Sequence, residues 1–362
     1  MPVYRVGIIG CGRIASTMED QPGAAHPATI AGAFAALPDA RIVAACNRGE
    51  EKLRAFGQRW DVSALYRDYR EMLDRERLDI VCVATHPPLH PEIVVAAAQA
   101  GARGIFCEKP MALSLGECDA MIDVCEQAGT KLLVNCSRRW SGHYQAVKDL
   151  IDSGALGPLL HVVAHCQGCK PFPEWVADTE GPLLHDAVHT FDTLRLFASD
   201  VASVLGTATR RRRREFRVED TSYALLRFQS GIDGVVISDE LTEYERWDIE
   251  FQCEKGVIRM GTNAGLWTSR PQAFEKGWWW ELTPGALPDP AWQETPVLCA
   301  ARDLIAAIEQ DRPPRCTGRD GRAAVEILMA IYESERRGNA WVDLPLGIHE
   351  SLLEVLRREG KL

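Results

Sequence analysis

An α/β domain built on a parallel sheet, followed by an α+β domain with a large, mostly antiparallel open sheet, is the architecture this sequence predicts. Three observations predict it. At 362 residues the chain exceeds the size at which one hydrophobic core keeps growing, so two domains are expected. Its first third alternates short β-branched runs with longer helical patterns, as parallel strands joined by crossover helices do. Beyond residue 153 the character changes to apolar, β-rich runs separated by SG, DG and KG turns, as hairpins require. The expected domains are 1–133 and 134–362.

In order, the predicted strands of the first domain are Tyr4–Ile9, Arg41–Cys46, Asp79–Ala84, Gly104–Cys107 and Lys131–Val134. Between them, Ala31–Leu37, Glu50–Trp60 and Pro91–Ala100 show helical spacing, and Ser114 with Glu117 forms a capping box that opens another helix. A helix over His143–Ser153 leads into the second domain, whose predicted strands are LLHVVAHCQ, ASVLGTAT, SYALLRFQ, GVVISDEL, WDIEFQC and GVIRM. Helices Val297–Gln310 and Gly321–Arg337 close that domain and cover one face of its sheet.

Composition narrows the function classes. A net charge of −10 argues against a nucleic-acid partner, because a phosphate-binding surface shows as a basic excess. The run Arg210–Arg214 is a local exception and reads as a solvated strand end. No apolar stretch is long enough to span a bilayer, and the first strand begins too early to leave room for a signal peptide. Twelve cysteines scattered through apolar segments fit a reducing compartment, so the cytoplasm is the expected location.

Gly10-Cys11-Gly12-Arg13-Ile14-Ala15 follows the first strand directly and matches the G-x-G-x-x-G/A fingerprint of a Rossmann dinucleotide site. Gly10 permits the tight turn, Gly12 lets the backbone approach a pyrophosphate, and Ala15 allows close helix packing. At the end of the second strand, where an acidic residue often binds the ribose, stand Asn47 and Arg48. Neither repels a 2′-phosphate, so NAD and NADP are both admitted. The segment MEDQPGAAHPATI lengthens the connection to the second strand, either as a loop over the cofactor or as a surface turn.

Glu108-Lys109-Pro110 follows the strand Gly104–Cys107, at the carboxyl edge where open α/β sheets bind ligands. In GPLLHDAVHTFDTLRLF, the residues His185, His189 and Asp192 fall at i, i+4 and i+7 on one helix face. HDAVH is also similar to the H-E-x-x-H zinc motif, with His165, Cys166 and Cys169 as conceivable further ligands. Asp is too short a copy of the general-base Glu and the CxxC is single, so no metal is expected.

Together with NCSRRWSGHY, GALGPLLHV, VEDTSYALLRF and RPPRCTGRDGRAAVEILMAIYES, these motifs resemble the glucose-fructose oxidoreductase, inositol dehydrogenase and rhizopine-catabolism family, GFO/IDH/MocA, over nearly the whole chain. The resemblance implies hydride transfer between NAD or NADP and a ring hydroxyl of a sugar, glycoside or cyclitol. It implies that Lys109 hydrogen-bonds the reacting oxygen, turned inward by a cis bond to Pro110, and that His189 moves the proton. His185 stands where the family has Asp, with Asp186 one place on, so either orients His189. Thr85, His90, Glu108 and Lys109 join the cofactor site, with a helix-capping role for His90 the alternative, and Arg138 with Arg139 either helps to fix substrate or pairs with acidic surface groups. A homo-oligomer, dimer or tetramer, is implied as well. The rivals are a glycoside-cleaving or epimerising enzyme that retains its NAD, and a dinucleotide sensor without activity. Trp278, Trp279, Trp280 and Trp292 read as core or subunit interface.

Overall fold

The computed structural model of the chain describes residues 3–168, 174–274 and 277–362. They form two compact units, Met1–Ser141 with Gln293–Arg322 and Gly142–Trp292 with Ala323–Leu362.

The first unit holds a six-stranded parallel sheet: β1 (Tyr4–Ile9), β2 (Ala40–Cys46), β3 (Ala64–Tyr66), β4 (Ile80–Val83), β5 (Gly104–Cys107) and β6 (Lys131–Val134). Their order is β3-β2-β1-β4-β5-β6, with helices α1 (Ile30–Ala35), α2 (Glu50–Trp60), α3 (Tyr69–Arg75), α4 (His90–Gln99) and α5 (Leu115–Ala128) in the crossovers. β4 and β5 are buried at every position, as strands covered on both faces must be. Strand order reverses between β1 and β4, and the crevice at their carboxyl ends is where such sheets bind ligands. The short edge strand β3 and the helix α3 escape the sequence reading. All three residues of β3 are half-buried, so no alternation marks it.

The helix Pro296–Glu309 corrects another expectation. The sequence reading assigns it to the second domain, but it packs on β5, β6 and α1 of the first unit. The reason is local. A parallel sheet needs cover on both faces, and Gly104 of β5 leaves room for it: a Cβ there would sit 2.7 Å from Ile308. The buried indole of Trp140 donates to Asp303 at 3.2 Å, tying the helix to the end of the unit's first segment.

The second unit carries nine strands: β7 (Leu159–Gln167), β8 (Val201–Thr209), β9 (Thr221–Phe228), β10 (Asp233–Asp239), β11 (Arg246–Cys253), β12 (Gly256–Gly261), β13 (Gly265–Phe274), β14 (Gly277–Gly285) and β15 (Val342–Asp343). Their order is β14-β13-β12-β11-β7-β10-β9-β8-β15, and among the described residues only β7 and β10 of this sheet pair in parallel. The sheet is amphipathic by alternation: along β9, Ala224, Leu226 and Phe228 are buried while Tyr223, Leu225 and Arg227 are exposed. Helices cover the buried face. Phe197 of the helix Val188–Ala198 stacks on Phe251 of β11 at 4.2 Å, and Ile331 of the helix Gly318–Arg336 lies over Gly206 of β8. Trp279 and Trp280 on β14 are exposed, so they are not core; the side chain of Trp278 lies outside the described residues.

The basic run has a structural explanation. The backbone N–H groups of Arg211, Arg212 and Arg213 donate to the buried carboxylate of Asp220 at 2.8, 2.6 and 2.7 Å, which wraps the turn around an anion inside the protein. The described cysteines are free thiols, buried except for Cys299. No helix among the described residues is long and apolar enough to cross a membrane.

Candidate active site

In the first unit the fingerprint turn sits at the carboxyl end of β1. Gly10 has φ +96°, a left-handed conformation that disfavours side chains, and lies against the carbonyl of Ala84, the residue after β4. Over Gly12 the space is open: a Cβ there meets nothing within 4 Å. A backbone turn with open space at this edge fits a pyrophosphate. Cys11 between the glycines is buried, and burial pushes its thiol up to about 12, so it is no nucleophile.

One helical turn follows, with Ser16 N donating to Gly12 O and Met18 N to Arg13 O. The chain then makes its excursion and returns, so that Ile30 N donates to Ile14 O at 3.1 Å and Ala31 N to Ala15 O at 3.0 Å. α1 thus resumes the helix that the fingerprint begins. Glu19 pins the excursion, accepting from Ala28 N, Thr29 N, Thr29 Oγ1 and His26 Nδ1. Partial burial acts to raise its carboxyl, but these bonds outweigh that and hold it below the usual carboxylate range.

Asn47, placed by the sequence at the ribose, is engaged within the protein. Its Oδ1 accepts from Cys11 N at 3.2 Å and its Nδ2 donates to Gly49 O, linking the fingerprint turn to the end of β2. Arg48 is exposed.

Glu108 is buried directly after β5, with Oε1 accepting from Asn135 Nδ2 at 2.6 Å and Oε2 from Lys109 N at 3.3 Å. Burial raises its carboxyl, opposed by the Asn135 bond and the Lys109 charge. Lys109 is half-buried and its bond to Pro110 is cis, as the resemblance implied. His90 is wholly buried, with Nδ1 at 3.0 Å from Pro110 O and Nε2 at 3.0 Å from Thr85 O. It ties the loop after β4 to the Lys109 corner. Arg138 is half-buried, whereas Arg139 is committed to Asp320 at 3.2 Å and to Arg315 O.

In the second unit the helix bearing the histidines does not begin as an α-helix. Leu183–Ala187 forms a π turn, closed by Val188 N on Leu183 O, before the helix Val188–Ala198. His185 Nδ1 lies 2.8 Å from Oε2 of Glu180, whose side chain is fully buried, and the ring packs edge-on against Trp175. Asp186 is buried, His189 is half-buried, and Asp192 is buried 3.9 Å from Arg195. The start of the turn is held by Glu219, which accepts from Leu183 N at 3.0 Å and from Tyr332 Oη at 2.9 Å. Burial pushes the Glu219 carboxyl up to about 7.

Glu180 and Glu219 are absent from the sequence reading. Glu180 stands five residues before His185, a spacing that no α-helical face brings together, and Glu219 belongs to the loop before β9, far off in the sequence. The conceivable zinc partners do not converge on the histidines. His165 and Cys166 are successive residues of β7 and point to opposite faces, and Cys169 lies outside the described residues.

Residues 4–136 match the model of an oxidoreductase family with an NAD-binding Rossmann fold, and residues 144–259 match the GFO/IDH/MocA C-terminal domain. The chain belongs to the GFO/IDH/MocA oxidoreductase family. Among curated members of that family, D-apiose dehydrogenase of Paraburkholderia graminis is 38% identical over 204 residues, 55% of this chain and 54% of that protein. Myo-inositol 2-dehydrogenase of Thermotoga maritima is 27% identical over 66% of this chain and 70% of its own length. Among solved GFO/IDH/MocA structures, aldose-aldose oxidoreductase from Caulobacter crescentus superposes with a TM-score of 0.79 at 25% identity, covering 94% of this chain and all of that one. The WlbA dehydrogenase from Bordetella pertussis, solved with NADH and UDP-GlcNAcA, gives 0.77 at 27% identity, covering 95% of this chain and 99% of its own.

Proposed function

We propose that the chain is an NAD-dependent dehydrogenase acting on a secondary ring hydroxyl of a sugar, glycoside or cyclitol. The observation that carries this reading is the Glu108-Lys109-Pro110 corner at the same carboxyl edge of the parallel sheet as the open turn over Gly12. Bound NAD supplies the hydride acceptor at its nicotinamide. Gly10, Gly12, Arg13, Ile14 and Ala15 would hold the pyrophosphate, Asn47 and Arg48 the adenosine end, and Thr85, His90 and Glu108 would shape the nicotinamide end. Lys109 donates to the reacting oxygen and lowers the cost of its developing negative charge. His189 accepts the hydroxyl proton, assisted by His185 or Asp186, and Arg138 helps to fix the substrate. The names of the apiose and inositol relatives support the substrate class. Buried free thiols support a cytoplasmic location, and the exposed apolar face of the second sheet supports a homo-oligomer.

The test is a screen of sugars, glycosides and cyclitols with NAD, read at the nicotinamide absorbance, followed by variants on the best substrate. Lys109→Ala and His189→Ala should each lower turnover roughly 10²- to 10⁴-fold with NAD affinity nearly constant. Chelator-sensitive turnover that survives loss of Lys109 would overturn the assignment.

A further inference from the structure

We propose that Glu180 is a positioning residue for proton transfer, holding His185 in the tautomer and orientation in which it assists His189. The inference rests on the dehydrogenase reading above and adds to it a residue.

An ionised carboxylate only accepts hydrogen bonds, so the 2.8 Å contact fixes His185 with its proton on Nδ1 and its lone pair on Nε2. The Glu180 side chain is fully buried, and its Oε1 has no hydrogen-bond partner among the described residues. A buried carboxylate holds the imidazole N–H it accepts in one orientation. His185 is the more accessible of the two candidates: its side chain is 23% exposed, whereas Asp186 beside it is 4% exposed. The backbone aims the pair. Glu180 N closes onto Val176 O, Gly181 follows at φ +66°, and Glu219 holds Leu183 N, so the π turn places residues 180 and 185 together where an α-helix would not. His189, four residues on, is the proton acceptor of that reading.

The balance is that of an alcohol oxidation. The hydroxyl O–H bond breaks and its proton goes to His189, the acceptor that His185 assists. The oxygen's electron pair forms the C=O bond as the carbon's hydride leaves to the nicotinamide. His189 then carries the positive charge and loses its proton to solvent before the next turnover.

The experiment pairs spectroscopy with kinetics on the full chain. Nitrogen-15 NMR of labelled histidines needs neither cofactor nor substrate. In wild type, His185 should show the Nδ1–H tautomer, and Glu180→Gln, which keeps the shape and removes the charge, should lower its pKa by about one unit or more. An unchanged His185 titration in that variant overturns the dyad, whatever the substrate screen finds. With the substrate from the screen, Glu180→Gln should lower kcat by roughly 10²-fold and move the acidic limb of its pH profile downward. KM and NAD affinity should hold, and Glu180→Asp should recover part of the loss. The double variant Glu180→Gln with His185→Gln should be no slower than His185→Gln alone; additive losses would overturn the proposal. If Glu180→Gln does not fold, His185→Gln decides: an undiminished kcat sinks the inference.

Discussion

A Cβ at Gly10 would lie 2.4 Å from the Ala84 carbonyl oxygen, while one at Gly12 would meet nothing within 4 Å. The fingerprint's spacing shows both glycines in the sequence, but only the structure separates their duties. Gly12→Val should therefore leave the melting temperature within a few degrees of wild type and abolish NAD binding in a calorimetric titration, because its side chain occupies the space a pyrophosphate needs. Unchanged NAD affinity would remove the cofactor from this turn. Gly10→Val should instead damage the fold, since backbone stands in its way and its φ is left-handed. Lys109 and the two histidines were legible because each sits in a short motif with a chemical reason. Glu180 was not, because its partnership with His185 depends on a π turn that neither propensity nor periodicity encodes.

At the level of elements, the turn carrying His185 hangs from a buried acid. Glu219 ionises near pH 7 in the folded chain instead of its ordinary 4.5, so between those values the folded state holds a proton that the unfolded state has released. Stability tied to this group is full below about pH 4.5 and is lost as pH rises through 7, by roughly 3 kcal/mol at 1.36 kcal/mol per unit. Glu219→Gln carries no such dependence. The stability of wild type minus that of the variant, measured by urea denaturation, should fall between pH 4.5 and 7.5; a flat difference would show that Glu219 does not titrate there. Elements with strong patterns were read almost to the residue: Glu50–Trp60 and β7 match their expected bounds, and Ser114 caps α5 with its Oγ accepting from Glu117 N. β13 and β14 were missed because their sequence, rich in Trp, Thr, Gly and Pro, shows no clean alternation.

For the molecule as a whole, the open face of the second sheet presents a band of apolar side chains. Leu205, Leu225, Val235 and Val163 are successive cross-strand neighbours on β8, β9, β10 and β7, and Leu225 and Val235 are 44% and 38% exposed. Such a band on water is costly, and a second copy of the chain presents the same band in return. Light scattering should accordingly give a mass that is a multiple of 40.2 kDa, and Leu225→Glu with Val235→Glu should reduce it to that of one chain. A wild type that stays at 40.2 kDa across working concentrations would refute the assembly.

The return of Gln293–Arg322 to the first unit has a consequence for how the protein is made. A ribosome that has finished β6 has produced every strand of the parallel sheet, yet Leu304 and Ile308, which close over Gly104, are still far from being translated. Residues 142–292 must emerge first, and throughout that interval β5 and β6 lack the helix that covers them on one face. A fragment stopped at Ser141 would be caught in that state permanently, so the dinucleotide-binding half cannot be excised as a self-sufficient module by a single cut.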